Sequence, residues 1–259
     1  MTEIPDATEK RTNYENFVAR CPWCSVENVF NRASDLKDFA PIGHRQVSCL
    51  NEKCQKPFNI GGDSINAACD MLIFDCYELK KGKRYCYCIL NLAQAFEVFF
   101  SLYLRVHLLY RPFARHQLED TDGDDLEQLN ALASMLYEET QDCAFAKMRN
   151  VFLNCVLTYQ NVASLGTAES IIRTLPTLMQ VPSDKLIDAC SNPKLVALLK
   201  RVKDSKIGEL RNRVVHQRAY RPTLAEVDTA LKETRSIIFP LGHLLGIQGD
   251  DINWYMRPA

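Results

Sequence analysis

The chain has 259 residues, 47% of them hydrophobic and 24% charged, which is the composition of a folded globular protein and excludes a disordered or fibrous one. Its formal net charge of −1 neither implies nor excludes a polyanionic partner. Eleven irregularly spaced cysteines follow a polar, acidic opening segment without a secretory pattern, so the thiols are expected to be reduced and the location cytoplasmic.

Residues 1–16 read as a flexible tail by composition and terminal position. Residues 17–62 differ from all that follows: they hold two cysteine pairs, turn residues, and short runs at Glu27–Phe30 and Arg45–Ser48 that suit strands. Cys21-Pro22-Trp23-Cys24 and Cys49-x4-Cys54 are separated by 24 residues. A tight turn aims two thiolates at one point, and two such turns complete a tetrahedron around a metal ion. The spacing therefore predicts a zinc ribbon holding one structural Zn2+ through Cys21, Cys24, Cys49 and Cys54, with a two-stranded hairpin in the interval. Four thiolates leave no open position for water, so such a metal stabilises the fold and performs no catalysis. The competing readings are a redox Cys-x-x-Cys without its βαβ context, His44 replacing one thiol, and thiols that are simply buried. Trp23, Arg20, Arg45, Lys53 and Lys56 offer the ribbon a weak nucleic-acid contact.

Gly61-Gly62-Asp63-Ser64 reads as a linker ending in a helix N-cap, and residues 63–259 read as a helical domain. Apolar periodicity predicts helices over 64–78, 86–110, 124–140, 143–162, 167–175, 183–190, 193–204, 206–219 and 223–245. Prolines 112, 176, 182, 193, 222 and 240 are expected at helix starts or stops. The fold class is thus mainly α, a helical bundle preceded by a small β-rich ribbon. Tyr85–Tyr110 is apolar but carries Asn91, Gln94, Glu97, Ser101, Arg105 and His107, which suits a buried helix and no membrane span. The Asp120–Asp125 acidic loop lacks the glycine and glutamate positions of a calcium loop.

Charge is uneven along this domain. Lys194–Arg221 carries nine Lys or Arg against Asp204 and Glu209, a local charge of +7, while Gln117–Asp142 carries nine carboxylates and no Lys or Arg. Such asymmetry marks either a polyanion-facing surface or ordinary solvated helix faces. Within the basic stretch lies Ile207-Gly208-Glu209-Leu210-Arg211-Asn212-Arg213-Val214-Val215-His216. At 100° per residue, Leu210, Val214 and Val215 fall on the arc of Ile207, with Arg211 inside it. Asn212 and His216 form an i, i+4 pair on the other side. An arginine on an apolar arc needs a partner, and Glu97 on the long early helix is the candidate.

The string Arg211-Asn212-x3-His216, late in an all-α domain, resembles the R-x4-6-H motif of the HEPN superfamily, and Ala95-Phe96-Glu97 resembles that family's acidic first helix. The helices between 112 and 206 exceed a minimal bundle of this kind. The resemblance implies a HEPN-like fold and metal-independent RNA cleavage by a homodimer whose two motifs share one cleft, giving 2′,3′-cyclic phosphate ends. It further implies that His216 acts as general acid or base, that Arg211 stabilises the phosphate and Asn212 orients, with Glu97 as a weaker member of the set and Arg213 and Arg218 on the flanking backbone. A prokaryotic defence or abortive-infection toxin is one such role. A non-catalytic nucleic-acid-binding or scaffolding protein, regulated by an antitoxin or other partner, is the alternative.

Overall fold

The computed structural model of the chain describes residues 16–31, 35–36, 44–61, 68–112, 124–159 and 161–247. Residues 1–15 of the expected tail, residues 62–64 of the expected linker with its N-cap, and most of the 120–125 loop lie outside these residues, while Asn16 and Gly61 belong to strands. The chain divides into two compact units, Met1–Met71 with Gln248–Ala259, and Leu72–Ile247.

Among the described residues, the first unit holds two antiparallel hairpins. β1 (Asn16–Arg20) pairs with β2 (Glu27–Asn31), Val18 opposite Val29, and β3 (His44–Ser48) pairs with β4 (Pro57–Gly61), Val47 opposite Phe58. The sequence reading differs here. The two strands between the cysteine pairs do not pair with each other; each pairs across its own knuckle, because the knuckle is itself the hairpin turn. The core is small: Phe30, Leu36, Phe58 and Ile60 pack with Cys21 and Cys49, and the Phe30 and Phe58 rings lie 6.4 Å apart. Asn28, fully buried, joins the hairpins. Its Nδ2 donates to the Val26 carbonyl at 2.9 Å, and its Oδ1 accepts the Leu50 N–H at 2.6 Å.

The helical elements are α1 (Ala68–Lys81), α2 (Tyr85–Arg105, continued by a wide turn over Val106–Tyr110), α3 (Asp124–Thr140), α4 (Phe145–Thr158), α5 (Leu165–Thr174, followed by a tight turn over Leu175–Met179), α6 (Asp184–Asp188), α7 (Pro193–Asp204), α8 (Ile207–His216) and α9 (Leu224–Leu245). Their starts follow capping chemistry. Ser164, Ser183, Asn192 and Thr223 each accept a first-turn N–H, and Thr223 with Glu226 forms a complete capping box. Pro193 opens α7, but Pro240 lies inside α9, which runs on to Leu245 and ends at Gly246 in the left-handed region, φ 63°.

The helix at Tyr85–Leu109 is long and apolar enough to cross a membrane by length and composition. In the structure it is the central helix of the second unit: Leu92, Phe96, Phe99, Phe100 and Leu104 are buried, and α2 packs against α4, α8 and α9. Phe100 stacks on Phe152 of α4 at 4.7 Å between ring centroids, and Phe145 of α4 stands edge-on to Phe96 at 6.2 Å.

Candidate metal centre and candidate catalytic face

The two knuckles repeat one backbone pattern. In the first, the Cys21 N–H donates to the Val26 carbonyl and the Ser25 N–H to the Cys21 carbonyl, both at 2.9 Å. In the second, the Cys49 N–H donates to Lys56 and the Gln55 N–H to Asn51, both at 3.0 Å. Ser25 and Gln55, each directly after its second cysteine, turn back through positive φ values of 60° and 45°. The longer second spacing is thereby explained. Asn51 takes the turn-initiating place that Cys21 holds in the first knuckle, and the first cysteine is moved two residues toward β3.

The four sulfur atoms lie within 4.8 Å of one another, with Cys21 and Cys54 3.9 Å apart and Cys24 and Cys49 3.6 Å apart. A tetrahedral ion bound to sulfur at about 2.3 Å requires edges of about 3.8 Å, so the four thiols fit one metal ion. Burial pushes the Cys49 thiol up to about 12. For Cys21, burial opposes ionisation, but the backbone N–H groups of Cys24 and Trp23, together with the Cys49 and Cys24 thiols, hold the thiol at about 7. The Asn51 side-chain amide donates to the Cys24 sulfur at 3.8 Å, an outer contact that steadies a ligand.

In the second unit α8 lies along α2. Arg211 of α8 acts on Glu97 of α2 electrostatically. Burial raises the Glu97 carboxyl above its ordinary value and the charge of Arg211 partly offsets this, although no ion pair within 4.0 Å joins the two. Arg211, half-buried, donates instead to the Asn212 side-chain oxygen at 3.2 Å. Asn212 and His216 are exposed on one side of α8. The approach of α8 to the core is set by Gly208, where a Cβ would meet the Phe145 ring at 2.7 Å.

Four residues depart from the sequence reading or lay beyond its reach. Val215, expected on the core-facing arc, is 50% exposed. Ile207 is the buried residue of α8, while Arg213 and Val214 of its last turn are half-buried. Arg213 is engaged within the fold. Its guanidinium stacks on Tyr220 at 3.9 Å and approaches Glu226 at 3.5 Å. Tyr220 and Glu226 were missed because their partner lies across a turn, where helical periodicity carries no signal.

Besides Glu226, two carboxylates from other segments offset part of the charge of the basic stretch. Lys200 pairs with Asp188 at 2.6 Å, Lys203 with Asp184 at 2.7 Å and Lys206 with Glu209 at 3.0 Å, while Arg201 donates to the Ser236 carbonyl at 3.0 Å. Arg218, in the turn after α8, is exposed and has no carboxylate within 4.0 Å among the described residues.

No family model, curated protein or solved structure matches the chain.

Proposed function

We propose that the chain is a metal-independent RNA endonuclease of HEPN type, acting as a homodimer on the face formed by Arg211, Asn212 and His216, with one structural Zn2+ held by Cys21, Cys24, Cys49 and Cys54. One observation carries the cleavage reading. A half-buried arginine lies in the field of a half-buried carboxylate, Glu97, and binds Asn212, whose side of α8 carries an exposed histidine. Histidine exchanges protons near neutrality, and a guanidinium binds phosphate through a fork of N–H donors.

In the reaction, the ribose 2′-oxygen attacks the adjacent phosphorus, and the bond to the 5′-oxygen breaks. His216 takes the 2′-OH proton or delivers one to the leaving 5′-oxygen. Arg211 offsets charge building on the phosphate oxygens, and Asn212 holds the guanidinium in place. The products are a 2′,3′-cyclic phosphate and a free 5′-OH.

Arg211 and His216 are separated by about 7.5 Å of rise and about 140° on a helix, so one copy of α8 does not bring them together. A two-fold pair of chains supplies both groups to one groove, and the exposed Val215 beside His216 gives such a contact an apolar centre. Zinc is the metal preferred because four thiolates in a closed tetrahedron suit a redox-inert ion that stabilises the fold.

The test is cleavage of labelled RNA in EDTA by the wild type and by His216→Ala, with solution mass measured in parallel. Loss of cleavage in the variant and a mass near twice the 29.6 kDa chain are expected. RNA cut equally by both proteins, or by neither, removes the nuclease reading and leaves a non-catalytic, partner-regulated binding protein.

A further inference from the structure

Trp23, inside the first cysteine pair, is 62% exposed. Exposed indoles are ordinarily loose; this one is fixed. Its Nε1–H donates to the Pro57 carbonyl at 3.0 Å, reaching from the first knuckle to the start of β4. The Lys56 ammonium lies 5.3 Å from the centre of the ring and holds it from a second direction. The two anchors determine the plane of the ring. They also use its only hydrogen-bonding group, so what remains for a partner is the flat π surface and not a polar handle.

A rigid aromatic surface beside ammonium groups suits an unpaired nucleobase, since every base has a π face and stacking on an aromatic side chain contributes about 1–3 kcal/mol per base. Lys53 lies three residues before Lys56 on the second knuckle, and neither has a carboxylate within 4.0 Å among the described residues. Four thiolates around a divalent ion carry a net charge of −2, so this unit does not draw a polyanion from a distance; stacking leads, and the two lysines take phosphates afterwards. A duplex, whose bases are already stacked on each other, offers this surface nothing.

We infer that the first knuckle is a stacking platform for single-stranded nucleic acid, with Trp23 taking one base and Lys53 and Lys56 its flanking phosphates. The inference stands on the ribbon alone and is independent of any cleavage by α8.

The experiment measures fluorescence anisotropy of a labelled 12-nucleotide oligouridine and its deoxy counterpart with the full-length, zinc-loaded chain carrying His216→Ala, which keeps the RNA intact. Metal content is measured for every variant to show that the ribbon remains folded. Trp23→Ala weakens binding about tenfold and Trp23→Phe restores most of it, as stacking energies of this size require. Replacing both Lys53 and Lys56 by Gln makes the log–log salt dependence shallower by about 1.4, the value for two phosphate contacts to a single strand. Equal affinity of the parent and Trp23→Ala, no binding by the parent, a duplex held as tightly as the single strand, or full competition by polyglutamate would each overturn the inference. Trp23-dependent binding without cleavage by the wild type sinks the nuclease reading and leaves the platform; cleavage with Trp23-independent binding does the reverse.

Discussion

The guanidinium of Arg213 lies 3.9 Å from the centre of the Tyr220 ring, and this stack ties the last turns of α8 to the segment leading into α9. The Tyr220 hydroxyl donates to Glu226 Oε1 at 2.8 Å, and the other oxygen of Glu226 accepts the Thr223 N–H at 2.8 Å. His216 sits between the two anchored ends. The clamp thus restricts where the histidine stands, although Arg213 itself points away from the role of a phosphate ligand that its place in the motif suggests.

The clamp has a pH signature. The Thr223 backbone N–H first, and the Tyr220 hydroxyl next, hold the Glu226 carboxyl below its ordinary value. A depressed carboxyl contributes stability that is present above its unfolded value, near pH 4.5, and lost as pH falls through the folded value. Glu226→Gln should melt lower than wild type at pH 7 and converge with it once pH has fallen through the folded value of the carboxyl. Thr223→Ala, which removes the cap itself, should cost about 1 kcal/mol in denaturant unfolding.

Gly208 is where α8 touches α4, and the nearest atoms to an added Cβ are Phe145 Cδ1 at 2.7 Å and Cε1 at 2.9 Å. Phe145 is buried against Phe96 and Phe100, so its ring has no room to withdraw. Alanine is ordinarily the better helix former by about 1 kcal/mol. Here the clash prevails, and Gly208→Ala should destabilise the helical unit by about 1–3 kcal/mol. An unchanged or raised unfolding midpoint would show that α8 is not held this closely.

How far the fold could be read in advance depended on where the decisive contact lay in sequence. α7 was legible to the residue, since Asn192 caps it and Pro193 opens it; both signals are local. The cysteine quartet was legible because ligand spacing reflects turn geometry. β1 and β4 were not, because five-residue strands in a unit organised around thiols need little hydrophobic alternation of their own. Val215 was assigned to the core by periodicity, which gives the apolar arc but not how many turns of that arc are covered. The local charge of +7 is lowered by Asp184, Asp188 and Glu226, which answer Lys203, Lys200 and Arg213 from other elements and so leave no trace in the local sequence.

Glu97 separates stability from activity. Burial raises its carboxyl, so the folded state holds the proton more tightly than the unfolded chain does, and stability falls as pH rises through the interval between the two values. Glu97→Gln should therefore melt at or above the wild-type temperature at pH 7, with the advantage shrinking toward pH 4.5. RNA cleavage should fall by at least tenfold if Glu97 holds Arg211 in place, a rate effect corresponding to about 1.4 kcal/mol. A variant that is less stable at pH 7 would mean that the attraction of Arg211 outweighs the burial of the carboxylate.

The last prediction concerns the metal. The fully buried Asn28 has no hydrogen bond to a sulfur, yet it donates to Val26 in the first hairpin and accepts from Leu50 beside Cys49 in the second. Because the core of this unit is small, the separation of Cys21 and Cys24 from Cys49 and Cys54 depends on that bridge as well as on the metal. Asn28→Ala leaves all four ligands in place but strands the Leu50 N–H, a loss of about 1–3 kcal/mol. One equivalent of zinc per chain is expected for the wild type, and competition with a chromogenic chelator should show Asn28→Ala binding it about 10- to 100-fold more weakly. Cys49→Ser should hold substoichiometric metal or none. Wild-type affinity in Asn28→Ala would mean that the thiolates alone hold the two hairpins in register.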